Sequence, residues 1–179
     1  MAITTLGANA IGALSGTSLP TGSVLQTLQA NKTDKQLIES TSFVNILTQA
    51  ITPSATSSGI LIMAYISVGG YGHFDFKVTR NDANIDNASG TGVGIGDQVG
   101  SSRVRSAAHS YTQSWSQFTP TIVLLDYPNT TSAITYKIKG ASPNDANSYD
   151  INVNHQYNDA DALYSATTIT SLTVQEIKG

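Results

Sequence analysis

The strongest constraint on this chain is the spacing of its turn formers. Four polar clusters, ITPSATSSG (51–59), RNDANIDNASG (80–90), DYPNTTS (126–132) and ASPNDANS (141–148), cut it into short apolar segments. Such Gly/Pro/Asn/Asp/Ser clusters make turns, and the segments between them are too short for packed helices but right for strands. Alternation confirms the period: Phe74, Phe76 and Val78; Ile134, Tyr136 and Ile138; Tyr149, Ile151 and Val153. Residues at i, i+2 and i+4 line one face of a strand.

Two segments lack alternation. Ile60–Val68 and Thr121–Leu125 are continuous apolar runs, expected as strands covered on both faces. The last strand, Thr167–Ile177, loses its phase between Ile169 and Leu172 and again between Val174 and Ile177, which reads as bulges or a bend. The best helical candidate, Asp34–Leu47, is interrupted by Ser40, Thr41 and Ser42. Eight to ten short strands read as an all-β antiparallel sandwich or jelly roll.

Composition narrows the function. Only 12% of residues are charged and the net charge is −3, too little to steer DNA or anionic lipid. Ser, Thr and Asn supply roughly 30% of the chain and keep its surface wet. No cysteine is present, which removes disulfides, thiolate metal sites and cysteine nucleophiles. No apolar run reaches the length of a membrane helix, and the start has no charged n-region of a secretory signal. The expected cofactors are none, with no nucleic acid and no membrane insertion. The first 31 residues contain no Asp, Glu, Lys or Arg. They read as an extended arm, residues 1–30, before a sandwich domain, residues 31–179.

Glycines crowd the stretch GTGVGIGDQVGSSRVR (90–105), with Arg103 and Arg105 beyond them. A dinucleotide fingerprint needs G-x-G-x-x-G between a strand and a helix. Here Gly94, Gly96 and Gly100 are one residue too far apart, and a P-loop would need a Lys that is missing between 78 and 136. The glycines are read as backbone freedom where a loop meets a strand. Arg103 and Arg105 share strand parity and are candidates for a subunit boundary.

Asp82, Asn84 and Asp86 reproduce the first three ligand positions of a calcium loop, but Asn87 stands where Gly is required and Val93 where Glu is. That leaves a solvated turn as the expectation, with no metal site. His73, His109 and His155 lack the i, i+4 spacing of a ligand pair. Neither a G-x-S-x-G nor another local catalytic motif is present, so no catalytic residue is assigned and a non-enzymatic role is expected. Tyr71, Tyr111 and Trp115 lie in polar, Gly- or Ser-rich surroundings. They are candidates for stacking on a sugar, with ordinary core packing as the alternative.

In order along the chain, TPSATSSGILI, GIGDQVGSSRVR, LLDYPNTTSAITYKIKG, NVNHQYNDAD and SATTITSLTVQEI resemble a family of small virion-surface proteins of tailed bacteriophages, of the tail-fibre-like or decoration kind. The resemblance spans Leu19 to Ile177. It implies a jelly-roll head of the complement-C1q and tumour-necrosis-factor type, a homotrimer, and no catalytic residues. It further implies a structural capsid-decoration or short-fibre protein on the virion surface. Residues 1–30 would dock on other virion proteins, the major capsid or tail proteins. The alternative is a fibre head that recognises a host surface glycan in attachment.

Overall fold

The computed structural model describes residues 19–86, 94–112, 116–143 and 150–179. Thirteen strands follow in chain order: β1 (Val24–Lys32), β2 (Gln36–Ile38), β3 (Val44–Ile51), β4 (Gly59–Tyr65), β5 (Val68–Gly70), β6 (Gly72–Arg80), β7 (Ala83–Asn84), β8 (Ala108–Thr112), β9 (Gln117–Phe118), β10 (Thr121–Asp126), β11 (Ile134–Ala141), β12 (Ile151–Val153) and β13 (Thr170–Ile177). The described residues contain no helix. The candidate helix Asp34–Leu47 is instead β2, a turn and the start of β3, because Ser40–Ser42 take local side-chain bonds that end one strand and begin the next.

All pairing is antiparallel and forms three sheets. The first runs β1-β13-β4-β10. The second runs β3-β11-β6-β7, with β8 also on β6. The third, of shorter strands, runs β2-β12-β5-β9. The first two face each other across one core. Ile60, Ile62, Ala64, Leu172, Val174, Ile122 and Leu124 come from one side, and Phe74, Phe76, Val78, Ile134, Tyr136 and Ile138 from the other. The third sheet adds Ile38, Val68, Ile151 and Val153 to the same cluster.

Polar groups lock this core at its edges. Arg80 grips Asp126 with two bonds of 2.8 and 2.9 Å, and the Tyr136 hydroxyl donates to the same carboxylate at 2.7 Å, joining the second sheet to the first. Burial and the neighbouring Asp126 push the Tyr136 phenol well above its ordinary pKa. Glu176 is buried among hydroxyls: Ser54 and Ser58 donate to Oε1, and Gln26 donates to Oε2 at 2.7 Å. Burial alone would raise its pKa, but these donors outweigh it and hold the carboxyl below its ordinary 4.5. Asn154, in the left-handed region at φ 66°, donates to the carbonyls of Lys32 and Asp34 and accepts from Thr170.

Several expectations change. The run Ile60–Val68 is two strands in two sheets, β4 and β5, joined at a corner. Within β4 the side chains of Ile60, Ile62 and Ala64 are buried, while Leu61 and Met63 are half-buried and Tyr65 is exposed. β10 repeats this: Ile122 and Leu124 point inward, Val123 and Leu125 outward. Both runs are therefore covered on one face, since none of the described strands lies over the outer side of the first sheet. β13 has no bulge; it alternates strictly and stays in register with β4, its inward set being Thr170, Leu172, Val174 and Glu176. The apparent loss of phase came from polar residues, Thr170 and Glu176, at two inward positions. In the pairing of β13 with β1 the register shift falls on β1, between Val24 and Gln26, and a second shift lies between β11 and β3 at Ile138/Lys139. β1, Val24–Lys32, pairs with β13 as an outer strand of the first sheet.

Gly70 shows what the third sheet demands. Its φ of +141° is open only to glycine at low cost, and a Cβ there would collide with the Asp150 carbonyl and lie 2.6 Å from Phe74 Cζ.

Two stability outcomes follow from these locks. Asp126→Ala, which strands Arg80 and Tyr136, should cost about 3–5 kcal/mol by urea titration. Because the folded pKa of Glu176 is depressed, its contribution is complete above about 4.5 and is lost as pH falls through the lower folded value. Glu176→Gln should flatten that acid limb of stability while leaving the pH 6–8 region level; an unchanged acid limb would count against the lock.

Candidate functional site

A cavity of about 590 Å³ opens on the outer face of the second sheet. Alternation along GHFDFKVTR sends Phe74, Phe76 and Val78 into the core and His73, Asp75 and Lys77 outward. β8 lies beside β6 in the register His73↔Tyr111 and Asp75↔His109. Two histidines 36 residues apart in sequence thereby become diagonal neighbours.

The three groups form a chain of contacts. Asp75 Oδ1 lies 3.1 Å from His109 Nδ1, and His109 Nε2 lies 3.3 Å from His73 Nδ1. The Asp75 side chain is 4% exposed and that of His109 51%, so the relay runs from inside to outside. An acceptor-only carboxylate requires Nδ1 of His109 to carry the proton. With both rings neutral, His109 Nε2 is then the acceptor and His73 Nδ1–H the donor. The Tyr111 ring packs on His73 with centroids 4.8 Å apart. Arg103, Ser102 and Ser106 line the opposite wall.

The residues singled out by sequence are distributed as follows. Arg103 lines this cavity, and Tyr111 stands beside it only through its packing on His73. Tyr71 does not line it; it pairs with Tyr157, centroids 6.4 Å apart. Trp115 lies outside the described residues. Arg105 points away from Arg103: it donates to the Gly96 carbonyl at 2.8 Å and approaches Asp86 at 3.3 Å. The shared parity of the two arginines fails because the segment before Ala108 is loop, not strand. In the glycine stretch, Gly94 donates to the Ile85 carbonyl, and a Cβ there would stand 3.1 Å from Ile85 Cβ. Close packing accounts for that glycine; Gly90 and Gly92 lie outside the described residues.

The calcium-like triplet is engaged otherwise. Asp82 is paired with Lys137 at 2.6 Å and Lys139 at 2.8 Å, Lys77 donates to Asn84, and Arg105 faces Asp86. The bonds from Lys137 and Lys139 hold the Asp82 carboxyl down to about 2. Asn81 and Asp82, both at positive φ, form the two-residue turn of the β6–β7 hairpin, which explains the NDAN sequence without an ion.

His73, Asp75 and His109 escaped the sequence reading, which sought ligand pairs at helical spacing. The available signal was the i, i+2 alternation His73-x-Asp75 and His109-x-Tyr111, which carries meaning only once β6 and β8 are known to pair.

No protein-family model matches the chain, and no curated protein matches it either.

Since the side chains of Asp82, Asn84 and Asp86 each face a cation of the chain itself, millimolar Ca²⁺ should leave the melting temperature unchanged. A rise of several degrees that Asp82→Asn removes would show that calcium displaces the lysines.

Proposed function

We propose that this chain is a non-enzymatic structural protein of a tailed-phage virion surface. In this reading it is a trimeric capsid-decoration or short-fibre protein with a jelly-roll head, anchored through its N-terminal arm. The observation that carries the reading is the uncovered apolar face of the first sheet. Val123 is 62% exposed, Tyr127 59%, Tyr65 48% and Leu125 39%, with Leu61 and Met63 half-buried among them. Register places Val123 opposite Met63 and Leu125 opposite Leu61, so these side chains form one continuous surface on β4 and the edge strand β10. Monomers rarely expose such contiguous apolar area, and an open edge strand invites pairing with another chain. A symmetric assembly that covers this face accounts for two runs whose sequence calls for burial on both sides.

The exit of the arm supports the same arrangement. Gly22 donates to the Lys178 carbonyl, Lys178 donates back to Ser23, and the Lys178 ammonium reaches the Leu19 carbonyl. The chain therefore enters at the end of the first sheet where Gly59 packs on Tyr127. With Val24 onward in β1, the docking role falls to the residues before it, 1–23, all uncharged. Location on a virion rests on the ordered resemblance of segments described above.

A second reading, a fibre head that binds a host glycan, is favoured by the outer cavity of the second sheet. Tyr111, 52% exposed, offers a ring packed on His73, which lines the cavity with His109 and Arg103.

Light scattering on the purified chain should give about 56 kDa, three copies of 18.8 kDa. Val123→Asp with Leu125→Asp should yield monomers of unchanged fold. A wild-type monomer would overturn the assembly. Removing residues 2–18 should spare the trimer but abolish association with particles, and retained association would exclude the docking arm. A blank glycan array with the whole chain would sink the second reading.

A further inference from the structure

We propose that His73 and His109 form a binding site for a divalent late transition-metal ion, with Zn²⁺ as the reference case and Asp75 as the residue that positions His109. This site stands independently of the virion reading.

Three features carry it. The first is separation. A tetrahedral ion with metal–nitrogen bonds of about 2.0–2.1 Å sets two ligating nitrogens about 3.3 Å apart. His73 Nδ1 and His109 Nε2 are 3.3 Å apart. The same spacing serves an N–H···N bond in the free protein, so the ion replaces one proton at a place already shaped for it. No proton need leave the protein. Neutral His73 moves its hydrogen from Nδ1 to Nε2, and His109 already offers a lone pair at Nε2.

The second feature is the carboxylate behind the ligand. Metal-bound histidines almost always donate their other ring N–H to a carboxylate or carbonyl, which fixes tautomer and orientation. Asp75 does this for His109 Nδ1 at 3.1 Å, from a position where the carboxylate is nearly closed to solvent. Its negative charge also favours a cation bound to the ring it holds.

The third feature is rigidity with open space. Both histidines stand on strands in fixed register, and the Tyr111 ring packs on His73. Sites built on strands are held more closely than sites on loops. No third His, Cys, Asp or Glu joins them among the described residues. The remaining coordination positions therefore face the cavity, where water or an oxygen ligand fills them. Arg103 on that wall favours an anionic one. With two protein ligands the site exchanges readily, and its preference should follow the general order of these ions, copper above zinc and nickel.

The test uses the full untagged chain with Zn²⁺ as the only ligand. Calorimetry or equilibrium dialysis should show about one ion per chain. His73→Ala and His109→Ala should each weaken that binding at least tenfold. Asp75→Asn keeps both ligands and should weaken it about 10–100-fold. His73→Ala should melt as the wild type does without metal, whereas His109→Ala strands the buried Asp75 carboxylate and should melt lower, so its binding is measured well below that melting temperature. In the wild type, Zn²⁺ should shift the ¹⁵N signals of His73 Nδ1 and His109 Nε2 and spare those of His155. Absence of stoichiometric binding, or binding that survives His73→Ala, or imidazole signals unmoved by Zn²⁺, would overturn the site. Binding unaffected by Asp75→Asn would remove the positioning role.

Discussion

The first sheet depends on a single insertion. β13, the last strand of the chain, lies between β1 and β4 and hydrogen-bonds to both, so without it the first sheet has no middle. Both ends of this strand are pinned by buried polar groups. At Thr170 the hydroxyl donates to Asn154, whose amide in turn holds the carbonyls of Lys32 and Asp34. At Glu176 the carboxylate collects donors from Ser54, Ser58 and Gln26. Each pin uses a polar residue on the inward parity of the strand. A buried polar group that is fully bonded fixes register, because a slip by one residue would expose Leu172 and Val174 and strand the carboxylate.

The same device shaped what could be read from the sequence. Where inward positions were all apolar, as in Phe74, Phe76, Val78 and Ile134, Tyr136, Ile138, alternation identified the buried face directly. In β13 the two polar pins broke the apparent pattern, and an unbroken strand looked bulged. Helical spacing was the wrong ruler for His73 and His109, because strand pairing, not local sequence, brings them together. Likewise, the Asp82–Asp86 oxygens resembled a calcium loop in one dimension. The two lysines that hold Asp82 come from β11, more than fifty residues away. Contacts of long sequence separation are the ones a single sequence hides.

The two large sheets present opposite chemistry to their surroundings. Outside the first sheet stand Leu61, Met63, Tyr65, Val123 and Leu125; outside the second stand His73, Asp75, Lys77, His109 and Lys139. Lys77 lies 4.0 Å over the Phe43 ring, and burial together with Lys139 and Arg105 lowers its pKa. Of the two outer faces, that of the second sheet carries the ionisable side chains and the β4–β10 part of the first carries the apolar ones.

That division makes the two proposals separable in physical terms. Assembly through the apolar face draws on area removed from water, which is insensitive to a histidine substitution on the far side of the core. Ion binding on the polar face draws on two imidazoles and one carboxylate whose geometry is set by β6 and β8. Neither strand belongs to the first sheet. An assembly that covers β4 and β10 leaves β8 and its cavity directed outward, which is the orientation a surface protein needs if the polar face meets a ligand. Coupling between the faces would have to pass through the Arg80–Asp126–Tyr136 lock, the charged bridge from β6 and β11 to β10. Arg80 Nη1 lies against both Asp126 oxygens and the Tyr136 phenol closes on Oδ2, so Asp126 is held from two strands at once and occupancy at one face should leave the other unchanged.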